Sequence, residues 1–462
     1  MAMMKASLLL AFFLLSAGTL ARQQRQNWCQ INRINALEAC GNIQAEAGVT
    51  EFWEPDNQLF YCSGVEFIRH RIQPDGLLLP SYVNTPHLAF TEEGKGVLGV
   101  VLPGCPETYE SSSKQQFSDL SQRRGPRIQD RHQNVQNFNP GDVVAIPAGA
   151  AHWIYNDGNT ELVVVVFFDT HNNANQLDAN RRRFYLAGNP HAHSEQQQGQ
   201  SQQCHLHPEP YSGNIFNGFD VEFLQEAFNV DRETAEKLQG QRDQRGHIVR
   251  VEQDLQIIRP THSREEQEQE QEQERGRENG FEETVCSLKL KENIDNPAHI
   301  DFVNKQAGRI SNLNNYKFPI LRHLQLSVAK SELYRNAIQS PQWMLNAHNI
   351  VYVTHGNMRV QIVNNKGESV FNDELREGQV VVIPQNFAVI KKAGEQGARW
   401  VSFRTNDNAI TENLVGRVSA IRSLPVDVVA NAYQVSREDA QKLKYNQQQT
   451  SLFSASSSKG QG

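Results

Sequence analysis

The chain is poor in sulfur and has no excess of positive charge. Only 6 cysteines and 5 methionines occur among 462 residues, and the formal net charge is -7 at pH 7. Because nonspecific nucleic-acid binders need a basic surface, this balance excludes a general nucleic-acid binder. No apolar run approaches the ~20 residues that a helix needs to cross a bilayer, so we expect no membrane-spanning segment.

Sites for N-glycosylation are also missing, since the sequence has no usable Asn-x-Ser/Thr acceptor. What the chain has in excess is amide nitrogen, with 44 Gln and 39 Asn against 15 Lys and 30 Arg. Side chains that carry extra nitrogen are therefore abundant, and most of them add no charge.

The N-terminus has the features of a secretory signal peptide. Lys5 precedes an apolar run at 8–15, and small residues lead to Ala21, so cleavage is expected between Ala21 and Arg22. The secretory pathway permits disulfides. All six cysteines lie in the mature part, and their 15 possible pairings cannot be told apart by spacing; they are Cys29, Cys40, Cys62, Cys105, Cys204 and Cys286.

Four polar stretches, at 107–136, 188–212, 264–279 and 446–462, are too polar to bury a core of their own. They separate two structured blocks. We divide the chain into a signal peptide (1–21), an N-terminal barrel with a helical arm (22–246), an acidic Glu/Gln-rich linker (247–279), a C-terminal barrel with a helical arm (280–446) and a polar tail (447–462).

Each block ends in a repeated segment. Residues 226–238 match residues 431–443 at a constant offset of 205. Asp231 and Ser436 precede runs of good helix formers, which predicts that they are helix N-caps. We predict a short helix–turn–helix in each block. These helices are not basic, so packing against a neighbouring subunit is a better use for them than reading DNA.

Ahead of these helices the pattern is that of strands. Short runs rich in β-branched residues are bounded by Gly, Pro, Asn or Asp; they lie at 97–102, 143–146, 162–168, 350–353, 358–363 and 380–383. Many short strands at short spacing predict an all-β fold with a sandwich or barrel in each block.

One motif points to a particular barrel. Gly141-x5-Pro147-x-Gly149-x2-His152-x3-Asn156 resembles the second motif of the cupin family at every defined position. The resemblance implies two jelly-roll barrels, each followed by a short α-helical arm. In metal-binding cupins, a first motif supplies His-x-His and Glu, and the second motif supplies a fourth ligand, a set suited to Mn or Fe.

The glycines Gly76 and Gly96 locate the first motif, and they place Tyr82, Asn84 and Ala89 at the positions of the His, His and Glu ligands. The corresponding positions of the second block hold neutral or apolar residues; these are Gln342, Met344, Asn349 and Val389. Because only His152 remains, we expect a buried, hydrogen-bonded histidine, and we expect no metal, no cofactor and no catalytic residue.

A second histidine-rich group lies in the Gln-rich stretch; its members are His191, His193, Cys204, His205 and His207. We interpret it as a polar loop rather than a metal site, because nothing in the sequence fixes its geometry. No Gly-rich loop joins a strand to a helix in the manner of a phosphate site.

Four segments resemble the legumin-type (11S) seed storage globulins: CQINRINAL at 29–37, LPSY at 79–82, VLPGCP at 101–106 and NGFEETVC at 279–286. In that family an asparaginyl endopeptidase cuts after the Asn of the last segment, which implies a cut between Asn279 and Gly280. The charges agree with acidic and basic products, because residues 22–279 carry a net -13 and residues 280–462 a net +5.

The resemblance further implies disulfides between Cys29 and Cys62 and between Cys105 and Cys286. We expect Cys40 to be a buried thiol, and the state of Cys204 stays open. The family implies trimers that stack into hexamers after the cut, in the protein storage vacuole of the seed. The implied function is a nitrogen reserve that is degraded on germination.

Two other functions compete with storage. One is a secreted two-barrel metalloenzyme of the oxalate-decarboxylase kind, which would need a complete His/His/Glu/His set. The other is a metal-free protein that binds a small ligand inside a barrel. Tyr82, Trp343 and Met344 could fill such a cavity or line it, and the sequence does not decide between the two.

Overall fold

The computed structural model describes residues 29, 31–53, 57–107, 109–110, 131–133, 135–190, 192, 212–252, 255 and 286–454. In these ranges the chain forms two β-barrels, and each barrel is followed by a pair of short helices. None of the helices in them is long and apolar enough to cross a membrane.

The strands of the first block are β1 (Gly41–Ala45), β2 (Gly48–Phe52), β3 (Val65–Ile72), β4 (Gly76–Val83), β5 (His87–Glu93), β6 (Gly96–Val101), β7 (Tyr109–Glu110), β8 (Arg131–His132), β9 (Val135–Phe138), β10 (Asp142–Ile146), β11 (Ala151–Tyr155), β12 (Leu162–Asp169), β13 (Arg183–Tyr185), β14 (Gly213–Asn214) and β15 (Ile248–Arg250). Those of the second block are β16 (Lys291–Asn293), β17 (Ile300–Asn304), β18 (Gly308–Leu313), β19 (Ser327–Leu333), β20 (Ile338–Met344), β21 (Asn349–Val363), β22 (Ser369–Arg376), β23 (Val380–Ile383), β24 (Ala388–Arg404), β25 (Thr411–Asn413) and β26 (Leu452–Phe453).

The helices are α1 (Gln58–Ser63), α2 (Val221–Phe228), α3 (Arg232–Gln239), α4 (Leu321–Leu324), α5 (Ala420–Ser423), α6 (Val426–Tyr433) and α7 (Arg437–Tyr445), and short 3₁₀ helices cover Ile215–Gly218 and Pro297–His299. The all-β fold with helical arms is therefore confirmed.

Two sheets build the first barrel. One has the order β1-β2-β3-β12-β5-β10-β16, and the other has the order β14-β13-β4-β11-β6-β9, with β15 paired to β4. Strand β12 lies in the middle of the first sheet, and all eight of its residues are buried. Its sequence, LVVVVFFD, is the nearly continuous apolar run expected of a strand that is covered on both faces.

The second barrel is one continuous sheet, and its two long strands, β21 and β24, bend at the corners of the barrel. Strands β21 and β24 pair along most of their lengths, and their register shifts between Val353 and His355 and between Gly356 and Met358. The runs at 350–353 and 358–363, predicted as two strands, are the two halves of β21. Gly356 lies at the bend with φ +72°, a left-handed conformation that glycine adopts without a steric cost.

The ends of the two blocks are exchanged between the barrels. Strand β16, which follows the acidic linker, pairs with β10 and so extends a sheet of the first barrel. In return, the segment before β1 lies on the second barrel, where the amides of Ile34 and Leu37 donate to the carbonyls of Val370 and Val380 at 2.9 and 2.8 Å. Each barrel therefore contains backbone from both sides of the Asn279–Gly280 bond.

An aromatic cluster joins the barrels. The ring of Phe67 lies 4.8 Å from Trp53, 5.4 Å from Tyr352 and 5.9 Å from Phe403, measured between ring centroids. Phe167 stacks on Phe403 at 5.2 Å. All five side chains are buried. Since three come from the first block and two from the second, burial of apolar area couples the barrels.

A partly buried polar network borders this cluster. The Tyr352 hydroxyl donates to Glu92 at 2.9 Å and accepts a hydrogen bond from the Arg69 guanidinium at 2.9 Å. Arg69 also donates to Glu51 at 2.6 Å. Burial raises the pKa of Glu92, although the hydrogen bond from Tyr352 opposes that effect. The ion pair of Arg69 with Glu51 lies within the first barrel, and the Tyr352 hydroxyl of the second barrel joins it to Glu92 through hydrogen bonds across the boundary.

The helical arms begin at the predicted caps. The carboxylate of Asp231 accepts the Thr234 amide at 2.7 Å, and the hydroxyl of Ser436 accepts the Asp439 amide at 3.0 Å. The two N-caps predicted from the repeat are therefore confirmed, and each satisfies a backbone donor that has no partner within its own helix.

Two disulfides are described. Cys29 is bonded to Cys62 with Cα atoms 5.7 Å apart, and Cys105 is bonded to Cys286 with Cα atoms 5.4 Å apart. The prediction that Cys40 is a free buried thiol is wrong, because Cys40 is disulfide-bonded. It lies only partly buried next to β1, where a thiol in an oxidising compartment is accessible to oxidation. Cys204 lies outside the described residues.

Candidate functional site in the barrel interiors

The cupin motif folds as its glycines predict. Gly141 lies in the turn before β10 with φ +86°, and Gly149 lies in the turn before β11 with φ +76°. In the second barrel, Gly378 and Asn386 occupy the matching turns with φ +79° and +66°. Asparagine is one of the few residues other than glycine that tolerates the left-handed region, so the turn survives the substitution.

His152 is buried inside the first barrel, as predicted. Its side chain is 3% exposed, and Nδ1 lies 3.1 Å from the carbonyl of Ala150. Because that carbonyl can only accept, Nδ1 carries the proton of the neutral ring. Burial, together with the positive charge of Arg183, lowers the pKa of His152 to about 3. The imidazole is therefore neutral at physiological pH.

A second buried histidine stands beside it. The rings of His87 and His152 lie 5.0 Å apart between centroids, although they belong to different sheets. Burial, and then the charge of His152, lowers the pKa of His87 well below the ordinary value. Sequence reasoning missed His87. The available signal was a histidine that follows Pro86 at the start of a strand, between the first-motif glycines Gly76 and Gly96.

The alignment that placed Tyr82 and Asn84 at ligand positions is wrong. His152 pairs across the strands with Ser81, and such partners face the same side of a sheet. Ser81 and Val83 are therefore the residues that face His152, while Tyr82 points the other way and stacks on Phe184 at 4.9 Å.

Asn84 takes part in a surface contact instead. Its side chain bonds to Asn175, to the carbonyl of Asn180 and to the amide of Arg182, and so it fixes the loop that follows β12. Ala89 lies buried in β5 and offers no donor atom. The interior of the first barrel thus presents no carboxylate at the ligand positions.

In the second barrel the predicted positions do face inward. Gln342 pairs with Val389 across β20 and β24, as Ser81 pairs with His152 in the first barrel. Gln342, Met344 and Asn349 are all buried. None of these four side chains is an imidazole, carboxylate or thiolate, so the donor set does not fit a cupin metal ion.

Across the described part of the chain, no three His, Cys, Asp or Glu side chains are grouped in a way that could hold a metal ion. The histidine-rich group of the Gln-rich stretch lies outside the described residues; its members are His191, His193, Cys204, His205 and His207. The same holds for both predicted cleavage sites, which are Ala21–Arg22 and Asn279–Gly280.

Lys391 is the unusual group of the second interior. Its ammonium donates to the Gln339 side chain at 3.0 Å and lies 5.6 Å from the centroid of the Trp400 ring. Burial, with a smaller contribution from Arg404, lowers the pKa of Lys391 to about 7. None of the carboxylates in the described ranges forms an ion pair with it.

We expect Lys391→Met to stabilise the protein by about 1–2 kcal/mol at pH 6, because a buried charge without an ion pair is replaced by an apolar chain. The pKa of Lys391 is about 7 in the folded protein and about 10.5 in the unfolded chain, so between these pH values the unfolded state binds more protons than the folded state. The free energy of unfolding of the wild type therefore rises with pH in this range. The gain from Lys391→Met should therefore shrink at pH 9. Urea unfolding at both pH values measures this, and exposed Lys392→Met is the control. A loss of stability at pH 6 contradicts the prediction.

Comparison with known proteins assigns the family. The cupin family model matches residues 34–192 and 292–441. A relative from Helianthus annuus, 11S globulin seed storage protein G3, is 54% identical over 99% of this chain and 98% of its own length. The chain belongs to the cupin family and is an 11S seed storage globulin.

Solved structures agree with this globulin's fold. The coconut allergen cocosin is 42% identical and has a TM-score of 0.79, over 92% of this chain and all of its own. An 11S globulin from Wrightia tinctoria, whose structure is described as revealing an auxin binding site, is 38% identical with a TM-score of 0.80, over 93% of this chain and 98% of its own. The two expectations drawn from sequence motifs, the cupin fold and the legumin-type family, are confirmed.

Proposed function

We propose that this globulin stores nitrogen as a densely assembled, proteolytically processed and non-catalytic protein. The observation that carries the proposal is the pair of barrel interiors, which keep the cupin framework but lack its ligand set. A barrel without reactive groups is a stable container for amino acids. Its 83 amide side chains hold nitrogen without charge repulsion between neighbouring molecules.

The arms support assembly through their exposed apolar residues. Phe223 and Phe228 are 66% and 49% exposed, and Val428 and Tyr433, at the offset of 205, are 48% and 53% exposed. The residue that follows Phe223 or Val428 in each arm, Leu224 or Val429, is buried. Large apolar side chains repeated at equivalent exposed positions are typical of protein–protein interfaces.

The two-arm arrangement suits a cyclic trimer, in which the arm after the first barrel of one subunit meets the arm after the second barrel of the next. We propose that such trimers stack into hexamers after cleavage. Retention of the cleaved chains is supported by the Cys105–Cys286 bridge and by the exchanged ends, since β16 remains paired with β10.

Cleavage itself is assigned to an asparaginyl endopeptidase acting between Asn279 and Gly280, and deposition to the protein storage vacuole of the seed. These assignments come from the NGFEETVC segment and the signal peptide. The acidic tract before Asn279 carries six Glu between 265 and 274. We propose that this tract blocks the face on which trimers stack until the bond is cut.

Asn279→Gln tests this order of events. The wild type should give two bands on a denaturing gel only under reductant, with the smaller band starting at Gly280. The variant should give a single band with or without reductant, because the protease requires asparagine, and it should elute as a trimer rather than a hexamer. Asn296→Gln is the control, because it makes the same change at an asparagine that lies after the predicted cleavage site. An uncleaved variant that still forms hexamers would refute the steric block.

A second candidate function is binding of a small ligand. The observation that favours it is the auxin site reported for the Wrightia globulin, which shares the fold over nearly the whole chain. Thermal unfolding with and without auxin tests it. A rise in the midpoint with increasing auxin would support binding, and an unchanged midpoint at saturating auxin would remove this candidate.

A further inference from the structure

The chain carries the sequence of its predicted processing site a second time. The dipeptide Asn–Gly occurs at only two places in the 462 residues, and at both it is followed by phenylalanine and an acidic residue. The two copies are NGFD at 217–220 and NGFE at 279–282. A protease that requires asparagine and contacts the residues just after the cut therefore meets nearly the same side chains at both copies.

The internal repeat offers a comparison that lacks this sequence. At the offset of 205 that relates the two arms, residues 217–219 correspond to residues 422–424, where the sequence is RSL. Both segments lie just before the first long helix of their arm, which is α2 or α6. Since the second arm forms without Asn–Gly at this point, the packing of an arm does not explain the dipeptide in the first arm.

The copy at 217–220 lies on the surface. A 3₁₀ helix covers Ile215–Gly218, none of its residues is buried, and Asn217 and Gly218 are exposed. Phe219, which follows the dipeptide, is 53% exposed. A Cβ built on Gly218 would meet no atom within 4 Å, so this side of the bond is open in the described chain. Exposed turns of this kind are preferred sites of proteolytic cleavage.

Surface contacts hold the bond in its helical conformation. The Gln241 side chain donates to Oδ1 of Asn217 at 2.7 Å, and the Phe219 amide donates to the Phe216 carbonyl at 3.2 Å. The Phe216 ring packs edge-on against Phe228, with the centroids 5.7 Å apart. An extended peptide is the form in which binding grooves take up a chain, so this helix must open before it is cut. A short segment with exposed hydrogen bonds opens at a low free-energy cost.

We propose that the Asn217–Gly218 bond is a second cleavage site for an asparaginyl endopeptidase, cut more slowly than the bond after Asn279. The proposal rests on the proposed processing at Asn279, because it assigns both cuts to one class of protease. In the reaction the C–N bond between Asn217 and Gly218 breaks, and the oxygen of a water molecule bonds to the carbonyl carbon. The products are a carboxylate on Asn217 and an ammonium group on Gly218.

This cut separates the start of the first arm from its barrel. Strand β14, just before the bond, pairs with β13 of the first barrel, whereas α2 begins just after it at Val221. The new ammonium group lies two residues before the N-cap Asp220, where positive charge opposes the helix dipole. The arm is then attached through the chain that leads to β15, which pairs with β4. An arm loosened in this way packs less well on a neighbouring subunit, so the cut promotes disassembly of the reserve.

The test is a timed digestion of the full uncleaved precursor with purified asparaginyl endopeptidase. Residues 218–279 contain no cysteine, so after both cuts this fragment should separate on a denaturing gel without reductant. The acidic and basic chains, joined by the Cys105–Cys286 bridge, should separate only with reductant. N-terminal sequencing of the fragment should begin at Gly218. Its formation should be at least about tenfold slower than the cut after Asn279, because the 3₁₀ helix must open first.

Asn217→Gln should abolish the fragment that begins at Gly218 and leave the cut before Gly280 unchanged. Asn217 is exposed, so the longer amide fits without disturbing the fold. Asn42→Gln is the matched control, because it changes an exposed asparagine whose peptide bonds lie within the paired strand β1, and it should change neither cut.

Phe216→Ala tests whether opening of the 3₁₀ helix limits the cut. Without its ring contact to Phe228 the helix should open more often, so the cut after Asn217 should become at least about threefold faster. The rate of the cut after Asn279 should stay the same. Because the arm is proposed to pack on a neighbouring subunit, Phe223→Asp is digested beside the wild type as a form in which the arm is free.

The proposal is overturned if the cut after Asn279 goes to completion while neither the wild type nor Phe223→Asp yields a fragment that begins at Gly218. A fragment that persists in Asn217→Gln would also overturn it. A cut after Asn217 without a cut after Asn279 would support this site and refute the proposed processing, so the two proposals can fail separately.

Discussion

Phe67→Ala should lower the stability of the whole molecule by about 3–5 kcal/mol, the range found when a fully buried phenylalanine is truncated. Phe67 is 1% exposed and contacts one aromatic ring of its own block and two of the other. Removing its ring leaves a cavity between the barrels, where neither barrel can close the gap without moving the other. Because the aromatic cluster is shared, both barrels should lose stability together.

The measurement is urea unfolding followed by tryptophan fluorescence and by circular dichroism. Trp53 and Trp400 are both buried, one in each block, so the fluorescence reports on both barrels. Phe302→Ala, at a position 41% exposed on β17, is the control and should change stability by about 0.5 kcal/mol or less. A Phe67→Ala protein with a wild-type midpoint would show that the barrels are independent.

Phe223→Asp should prevent the assembly of subunits while leaving the fold of each subunit intact. The ring is 66% exposed in the isolated chain, so a carboxylate there costs the monomer little. In an assembly the same carboxylate would be buried without a partner, and charges of that kind cost several kcal/mol. Truncation of a central aromatic at an interface alone typically costs 2 kcal/mol or more.

Light scattering coupled to gel filtration measures the mass directly. The wild type should elute as a trimer before cleavage, and Phe223→Asp should elute as a monomer at about 52 kDa or less, depending on signal removal. Val428→Asp, the equivalent change in the second arm, should have the same effect. Leu177→Asp is the control, because Leu177 is 61% exposed and lies outside the arms. Trimers that persist in both arm variants would place the interface elsewhere.

The sequence predicted the elements whose pattern is local. The capped helices at Asp231 and Ser436 carry their own start signals, and β12 is an apolar run that is recognisable without knowing its neighbours. The motif turns at Gly141 and Gly149 follow from conformations that glycine adopts freely. The family was predicted from the resemblance to the legumin-type globulins, because no local pattern identifies it.

Other features depend on partners that are distant in sequence. Strand β16 has the sequence KEN, which is not a strand pattern. It forms a strand because its backbone pairs with that of β10. The error at Tyr82 has a related cause. Side chains alternate along a strand, so a shift of one residue exchanges the inner and outer faces, and glycine spacing alone does not fix the register.

The buried charges were also beyond sequence reasoning. Nothing near Arg183 or Lys391 in the sequence distinguishes them from surface residues, since the RRR run at 181–183 reads as a solvated patch and Lys391 is next to the exposed Lys392. Their burial comes from the pairing of β13 with β4 and of β24 with β20. The state of Cys40 likewise depends on tertiary proximity rather than on local sequence.

The central claim is that these two cupin barrels have lost the capacity to hold a catalytic metal ion and serve as a reserve. Elemental analysis of the protein purified from its natural source, without chelators, tests that claim most directly. We predict far less than one equivalent of Mn, Fe, Cu or Zn per chain. One equivalent of any of these metals that survives extensive dialysis would contradict it.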